Sequence, residues 1–304
     1  MNGTLIQRAV VVSLLLAVLV VPRVSAQAAR VFLSGTGVDS GDCSDAANPC
    51  RSLQYAINQA APGAEVVIVS SGGYGGANIT KSIIVNAPTG VVAFVGRTIT
   101  VNIASTDTVT LRGLSMNGAV FFDTYGIDFT GGGTLNVENT VISSFVLAGI
   151  HDVAAGSKLW VYNCDFKKHN NAGIHVEGAA SAVIENSRAS GSNDGVFAYS
   201  QAIVAVRNSV MQNNHHGFRV SSPSTGTTEL IIDSCLLSHN DFGILSSQGG
   251  TAVATARVGE SVVMSNVTAN LSTFGTGQII SQGGNRVGGA TGGTTGFTST
   301  EAQQ

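Results

Sequence analysis

A glycine followed by a large apolar residue recurs along the middle of the chain, and this repeat limits the fold more than any other feature. The six pairs are Gly126-Ile127, Gly149-Ile150, Gly173-Ile174, Gly195-Val196, Gly217-Phe218 and Gly243-Ile244. Successive glycines are 23, 24, 22, 22 and 26 residues apart. A period of this length is typical of proteins built from stacked units that each pack on their neighbours.

A second marker keeps the same period. Its members are Gly113, Asn139, Asn163, Asn186, Asn208, Ser234 and Glu260. Alternating apolar residues precede it, as in TLNVEN and IVAVRN. These segments are short and rich in β-branched residues. Leucine-rich repeats would instead show a recurring pattern of leucines together with helical spacing. Each repeat therefore predicts about three strands joined by turns, which is one coil of a parallel β-helix.

Coils of a β-helix stack about 4.8 Å apart, so equivalent residues of successive repeats form columns along the axis. At an inward bend, a side-chain amide can bond the equivalent amide one coil away and satisfy backbone groups of the turn. We therefore expect Asn163, Asn186 and Asn208 to be buried and hydrogen-bonded to one another.

The composition agrees with many small, similar strands. Hydrophobic residues make up 43% of the 304 residues but aromatic residues only 6%, so Val, Ile, Leu and Ala dominate the apolar positions. Charged residues make up 11%, and the net charge is −3. This balance argues against a disordered tail and against a basic nucleic-acid binder. Nucleic acid is therefore not expected as a partner.

The segments that flank the predicted coils have a different pattern. Apolar residues at helical spacing precede a Pro-Gly pair, in the order Leu53, Ala56, Ile57, Ala60 and Pro62-Gly63. They predict an α-helix that covers the open strand edge of the first coil. The expected organisation is an N-terminal segment and cap helix over 27–64, coils over 65–271, and a last irregular coil with a Gly/Thr/Ser-rich tail over 272–304.

The first 26 residues have the pattern of a signal peptide. Arg8 precedes a largely apolar run from Ala9 to Val21, and small residues precede Gln27. The run is shorter than the roughly 20 residues that span a bilayer, so a membrane anchor is disfavoured. Loss of residues 1–26 removes Arg8 and Arg23 and changes the net charge from −3 to −5. We expect a mature chain that is secreted or periplasmic and has no membrane span.

Three stretches carry a family resemblance: the run from Val31 to Gly76, the coils from Val109 to Ser265, and GQIISQGGNRVGG at 277–289. Together they resemble bacterial secreted right-handed parallel β-helix repeat proteins of the pectate-lyase-like superfamily. The resemblance implies an all-β fold, a right-handed single-stranded parallel β-helix with an N-terminal capping α-helix. This superfamily includes lyases, hydrolases, esterases, epimerases, phage tailspikes and adhesins, so the fold alone does not select an activity.

One short motif resembles a catalytic sequence. YGID at 125–128 is similar to the start of the YGIDPHD-like motif of alginate C5-epimerases. Where that motif continues with Pro-His-Asp, this chain has FTG at 129–131. The sequence also lacks the paired-Asp blocks of polygalacturonases and the WIDH and RxPxxR motifs of pectate lyases.

The repeat also predicts a candidate site. The residue after each inward apolar marker points outward from the same sheet, because side chains alternate along a strand. This column contains Asp128, His151, His175, Phe197, Arg219 and Leu245. The turns just before it supply Lys168, His169, Asp194, His215, His216, His239 and Asp241. All six histidines are thus expected on or beside one outer face.

These side chains suggest proton abstraction from a uronate, which needs a base of near-neutral pKa and a cation beside the carboxylate. His175 is the predicted base, with His151 and Asp128 as further catalytic candidates, and Arg219 is the predicted carboxylate clamp. Phe197 is expected to stack on a sugar ring. The other predicted substrate-binding residues are Lys168, His169, His215 and His216. Binding is expected to strengthen below about pH 6.5, as histidines gain charge.

A second interpretation needs no site at all. Asn, Asp, His and Gly are common in turns because they tolerate turn geometry. His215 and His216, with His239 or Asp241, form at most a loose cluster without the spacing of a known ligand set. No metal and no cofactor are therefore predicted.

Two functional hypotheses follow. The first is a secreted, non-catalytic β-helix that contacts extracellular polysaccharide along one long face, or whose stiffness is itself the function. The alternative is an acidic-polysaccharide lyase or C5-epimerase that abstracts a proton from a uronate. The incomplete catalytic motif favours the first.

The cysteines give a direct test of the coil register. Cys43 and Cys50 lie in one turn-rich segment and are expected to form a disulfide. Cys164 and Cys235 lie three coils apart in one column, about 14 Å, beyond the roughly 7 Å limit on the Cα separation of a disulfide. They are expected to be buried free thiols.

One further outward column predicts surface ion pairs rather than a site. It contains Arg112, Glu138, Tyr162, Glu185, Arg207 and Asp233.

Overall fold

The computed structural model describes residues 27–290, 292 and 296–301. The predicted signal peptide, residues 1–26, and parts of the predicted tail lie outside the described residues. The described part forms a parallel β-helix whose strands fall into three sheets, named A, B and C below. Within this part, no helix is both long enough and apolar enough to cross a bilayer.

Thirty-one strands and two short helices make up the described part. Sheet A contains β1 (Ala28–Leu33), β2 (Ala60–Ile68), β5 (Ile83–Asn86), β8 (Thr108–Arg112), β11 (Thr134–Glu138), β14 (Lys158–Tyr162), β17 (Ser181–Glu185), β20 (Ile203–Arg207), β23 (Thr227–Asp233), β26 (Val253–Gly259), β29 (Gln278–Ser281) and β31 (Ser299–Thr300). Sheet B contains β3 (Gly72–Gly73), β6 (Ala93–Val95), β9 (Leu114–Asn117), β12 (Val141–Ser143), β15 (Asp165–Lys167), β18 (Arg188–Ser190), β21 (Val210–Gln212), β24 (Leu236–Ser238), β27 (Val262–Met264) and β30 (Arg286–Gly288). Sheet C contains β4 (Ala77–Ile79), β7 (Ile99–Val101), β10 (Tyr125–Phe129), β13 (Ala148–Asp152), β16 (Ala172–Val176), β19 (Asp194–Tyr199), β22 (His216–Ser222), β25 (Phe242–Gln248) and β28 (Ala269–Phe274). The helices are α1 (Leu53–Gln59) and a 3-10 turn at Gly118–Val120.

Each regular coil passes through sheets C, A and B in turn, and its strands pair in parallel with those of the next coil. In sheet A, Leu135 pairs with Val109 in one neighbouring coil and with Leu159 in the other. All three side chains are fully buried. Such columns of aliphatic side chains fill the interior, and the predicted all-β, right-handed parallel β-helix is confirmed.

Helix α1 covers the N-terminal end of the coils, as predicted. Its first turn is capped by Ser52, whose Oγ accepts a hydrogen bond from the Tyr55 backbone N–H at 3.4 Å. Leu53, Ala56 and Ile57 are buried against β1, β2 and β4. The helix ends at Gln59 because the next residue, Ala60, is already extended and begins β2.

The repeating glycine is required by the close approach of successive coils in sheet C. A Cβ on Gly126, Gly149 or Gly173 would lie 2.6–2.7 Å from the carbonyl oxygen of the equivalent glycine in the next coil. No side chain fits there without moving the backbone. The repeating glycine is therefore a consequence of coil stacking in this sheet.

The prediction that Asn163, Asn186 and Asn208 are buried is wrong. All three are exposed, in the short turn between sheets A and B, with φ between 49° and 52°. Asparagine tolerates this left-handed conformation better than most residues with a Cβ, and Gly113 fills the equivalent position with a φ of 74°. The marker therefore reflects a backbone conformation and not a buried amide column.

A buried column that contains amide side chains lies at the turn between sheets B and C. Its members are His169, Ser192, Asn214, Asn240 and Asn266. Each side chain after the first accepts a hydrogen bond from the backbone N–H of the preceding member, at 3.0–3.1 Å. These turn N–H groups face the interior, so the side-chain oxygens replace the water that cannot reach them.

Both cysteine predictions are confirmed. Cys43 and Cys50 form a disulfide with a Cα separation of 5.4 Å. Cys164 and Cys235 are free and buried, in a column with Ser187. Burial raises the pKa of the Cys164 thiol to about 12 and that of Cys235 to about 11, so both remain protonated at neutral pH.

Asn240→Ala is expected to destabilise the protein by about 1 to 3 kcal/mol, because it leaves the buried backbone N–H of Asn214 without its acceptor. Asn186→Gly is the matched control, since Asn186 is exposed and glycine occupies the equivalent turn position at Gly113. Chemical denaturation of both variants measures the difference. Equal stability of the two variants would contradict this assignment of the buried column.

Candidate functional site

The predicted outward column forms on sheet C in the expected register. Asp128 pairs with His151, His151 with His175, His175 with Phe197, and Phe197 with Arg219. Their neighbours Ile127, Ile150, Ile174, Val196 and Phe218 are buried in the core. We call the outward side chains of these strands the sheet C row.

A cluster of two carboxylates and two imidazoles lies at one end of the sheet C row. His151 Nδ1 is 2.9 Å from Asp128 Oδ1, and His151 Nε2 is 3.5 Å from Glu177 Oε1. Glu177 Oε2 is 3.6 Å from His175 Nε2. That nitrogen is buried and has no hydrogen-bond partner. The cluster thus alternates oxygen acceptors with ring nitrogens that donate or accept, and it has unused hydrogen-bonding capacity.

The rings of the sheet C row stack along the axis of the β-helix. Tyr125 lies over His151 with ring centroids 4.1 Å apart, and His175 lies over Phe197 at 4.7 Å. The Arg219 guanidinium carbon lies 4.6 Å from the centre of the Phe197 ring. His175 and Arg219 belong to the coils on either side of Phe197, so both faces of this ring are covered. The expected stacking of a sugar on Phe197 does not fit this geometry.

A buried carboxylate lies beside the other end of the sheet C row. Asp194 is fully buried, with Oδ1 2.6 Å from His216 Nδ1 and Oδ2 3.7 Å from Arg219 Nη1. His215, in the adjoining turn, lies 2.7 Å from Asp241. The predicted clamp residue Arg219 therefore already faces a carboxylate of the protein itself.

Burial, together with the neighbouring His151 and Arg219, lowers the pKa of His175 to about 4. His175 is therefore neutral at pH 7. The pKa of the Tyr125 hydroxyl is raised by burial and by the charges of Asp128 and Glu177. The expected increase of positive charge below pH 6.5 does not extend to His175.

Two predicted binding residues lie away from the sheet C row. His169 is buried inside the coils, where its ring nitrogens lie 3.4 and 3.2 Å from the carbonyl oxygens of Phe145 and Ile142. The prediction that all six histidines lie on or beside one outer face is therefore wrong. Lys168 is exposed in a left-handed turn between sheets B and C, with a φ of 59°.

Sequence reasoning missed Glu177 and Tyr199 in the sheet C row. Both lie two residues after a predicted member, His175 and Phe197, and so on the same face of the strand or its extension. Tyr199 contacts both predicted members, with ring centroids 6.1 Å from His175 and 5.3 Å from Phe197. Extending the alternation by one step would have found both residues.

The ion pairs predicted on sheet A are present. Arg112 Nε lies 2.7 Å from Glu138, and Arg207 lies 3.9 Å from Glu185 and 3.4 Å from Asp233. Among the described residues, no group of three or more His, Cys, Asp or Glu side chains is arranged to hold a metal ion.

The fold and its repeats agree with known proteins. The family model of the right-handed β-helix region matches residues 99–263, more than half of the chain, and the protein belongs to this family. No curated protein matches the chain in sequence.

Two solved structures have a similar fold. Pectate lyase Pel9A matches with a TM-score of 0.61 and 16% identity, over 92% of this chain and 80% of that chain. XylC in complex with xylose matches with a TM-score of 0.53 and 8% identity, over 85% of this chain and 69% of that chain. At these identities the similarity concerns the fold.

Arg219→Gln is expected to raise the pKa of His175, because it removes one of the positive charges that oppose protonation of this imidazole. Burial keeps the pKa below the usual value of about 6.5. A pH titration of the imidazole NMR signals measures the shift. Arg207→Gln, on the outer face of sheet A, is the control and is expected to leave His175 unchanged. A His175 signal that titrates identically in all three proteins would contradict this prediction.

Proposed function

We propose that this protein is an exported, non-catalytic β-helix that holds an uncharged polysaccharide along the sheet C row. The observation that carries the proposal is the cluster of Asp128, His151, Glu177 and His175, in which partly exposed carboxylates alternate with imidazoles. A sugar hydroxyl both donates and accepts, so it matches an alternation of carboxylates and imidazoles.

The shape of the face supports an extended ligand. Equivalent side chains recur once per coil, about 4.8 Å apart, so the same contacts are offered repeatedly along the axis. The fold similarity to a pectate lyase and to a protein bound to xylose supports a polysaccharide ligand.

The charges of the sheet C row favour an uncharged ligand. The carboxyl groups of Asp128 and Glu177 lie on this face, and His175 is neutral at pH 7. Arg219 lies against Asp194, so a uronate carboxylate would have to compete with a buried partner for the guanidinium. Repulsion between like charges therefore disfavours pectate or alginate.

The alternative is a lyase or C5-epimerase that abstracts a proton from a uronate. One observation favours it, because Tyr125 stacks on His151 and His151 is 2.9 Å from Asp128, which assembles an acid–base group. Such a reaction also needs a cation to stabilise the charge that develops on the uronate. The position of Arg219 against Asp194 makes this alternative the weaker one.

Export is part of the proposal. The Cys43–Cys50 disulfide supports folding in an oxidising compartment, either the periplasm or the exterior of the cell. The signal-peptide pattern of residues 1–26 agrees with this.

Native affinity electrophoresis in gels that contain xylan, a soluble cellulose derivative without charge, polygalacturonate or alginate tests the proposal. We expect retardation by an uncharged polysaccharide and none by the two acidic ones. Glu177→Gln is expected to weaken retardation about tenfold, because it removes a charged hydrogen-bond acceptor from the cluster. The same change at Glu138, on sheet A, is expected to have no effect.

A parallel assay follows the ultraviolet absorbance of unsaturated products in polygalacturonate and alginate. A rise in absorbance that depends on His151 would overturn the non-catalytic proposal in favour of the lyase. If no polysaccharide retards the protein, the proposal that this face binds a glycan is wrong.

A further inference from the structure

The outer face of sheet A contains an apolar strip. Trp160 pairs with Val183, Val183 with Ala205, and Ala205 with Ile231, so four apolar side chains point outward in successive coils. Trp160 is the only tryptophan of the chain, and 49% of its surface is exposed. Covering the exposed part of this indole with a ligand would be favourable, because burial of apolar surface lowers the free energy.

The surface of the strip is depressed in the middle, because the side chains of Val183 and Ala205 are smaller than those of Trp160 and Ile231 on either side. A hollow of about 120 Å³ lies between Trp160 and Val183, and one of about 190 Å³ continues from Val183 over Ala205 to Ile231. Both are smaller than the clefts of about 300 to 1,000 Å³ that hold drug-sized ligands. Together they form a shallow trough, which we call the Trp160 trough.

Polar groups line one long edge of the Trp160 trough. Arg207 lies between Glu185 and Asp233, at 3.9 and 3.4 Å, and more than half of its side chain is exposed. Lys158 and Ser181 lie on the opposite edge, which continues with the exposed side chain of Ile203. The edges thus offer both donors and acceptors of hydrogen bonds, whereas the floor between them is apolar.

This arrangement matches the chemistry of a sugar ring. A pyranose has an apolar C–H face, which packs on aromatic and aliphatic side chains, and hydroxyls around its edge, which exchange hydrogen bonds with charged and hydroxyl groups. The carboxylates of Glu185 and Asp233 flank Arg207, so the long edge favours an uncharged sugar over an acidic one. We propose that the Trp160 trough is a binding site for an uncharged pyranose ring.

The dimensions of the strip favour this ligand over a second copy of the chain. A stable protein interface uses about 20 to 30 residues from each partner. The apolar floor here is four side chains long and one side chain wide, and its edges are polar except at Ile203. A narrow floor with polar borders fits a single ring or a short glycan better than a protein surface.

This site is separate from the sheet C row, because it lies on another sheet of the β-helix. The inference therefore does not rest on the proposed function. The two faces also have different reporters, since Trp160 lies in the trough and the histidine cluster lies on sheet C.

Titration of the purified chain with cellohexaose and xylohexaose, followed by tryptophan fluorescence, tests the proposal. We expect a saturable change in intensity or wavelength with at least one of them and none with hexagalacturonate. Ala205→Arg is expected to weaken this binding at least about tenfold, because the long side chain fills the floor of the trough. Ile84→Arg is the matched control, since it places the same side chain on the outer face of sheet A three coils before Trp160. Ile231→Arg is a second blocking variant, and thermal denaturation checks that all three variants are folded.

Fluorescence that does not respond to either uncharged oligosaccharide would overturn the proposal. A response that survives both blocking variants would also overturn it. A change that depends on protein concentration alone, with a dimer in sedimentation, would assign the Trp160 trough to self-association instead. The sheet C variant Glu177→Gln is expected to keep the wild-type fluorescence response, even where it loses retention by polysaccharide. The two proposals are therefore tested independently.

Discussion

Parallel hydrogen bonding between successive coils is the constraint on which the rest of the structure depends. It places each residue about 4.8 Å from its equivalent in the next coil. Equivalent side chains of adjacent coils are therefore in contact. The residues of each column must be able to pack or pair with one another. Aliphatic columns satisfy this condition in the interior by packing, and the glycine column in sheet C satisfies it by leaving room for the carbonyl of the next coil.

The same constraint explains the polar parts of the molecule. A turn that repeats in every coil repeats its unpaired backbone N–H, and the buried amides of Asn214, Asn240 and Asn266 satisfy these groups in series. On the outer faces, ionised groups of one sign would repel each other at this spacing. Carboxylates there meet imidazole or guanidinium groups of the neighbouring coil, as in Asp128 with His151 and Glu185 with Arg207. The register thus brings hydrogen-bond donors and acceptors together on the outer faces.

Much of this architecture follows from the sequence, because register turns a linear repeat into a spatial column. The glycine and apolar markers predicted the pairing of Asp128, His151, His175, Phe197 and Arg219, and also the free thiols three coils apart. The cap helix followed from its spacing of apolar residues.

The errors have a common physical origin, since a repeat shows which residues share a column but not which way a turn residue points. Asn186 was expected inside, but its position requires a left-handed backbone on the surface. His169 was expected on the outer face, but it is the first member of the buried column at the turn between sheets B and C. The contact of Arg219 with Asp194 links different columns of one face, which the spacing of a single marker does not reveal.

In the proposed function, the register of the coils assembles the sheet C row into a polysaccharide-binding face. Imidazole NMR spectra of the wild-type protein, recorded at pH 7 with increasing xylohexaose, test this most directly. We expect the signals of His151 and His175 to shift, while the signal of His169, enclosed by the coils, stays in place. Unchanged signals of His151 and His175, under conditions in which the oligosaccharide is bound, would contradict it.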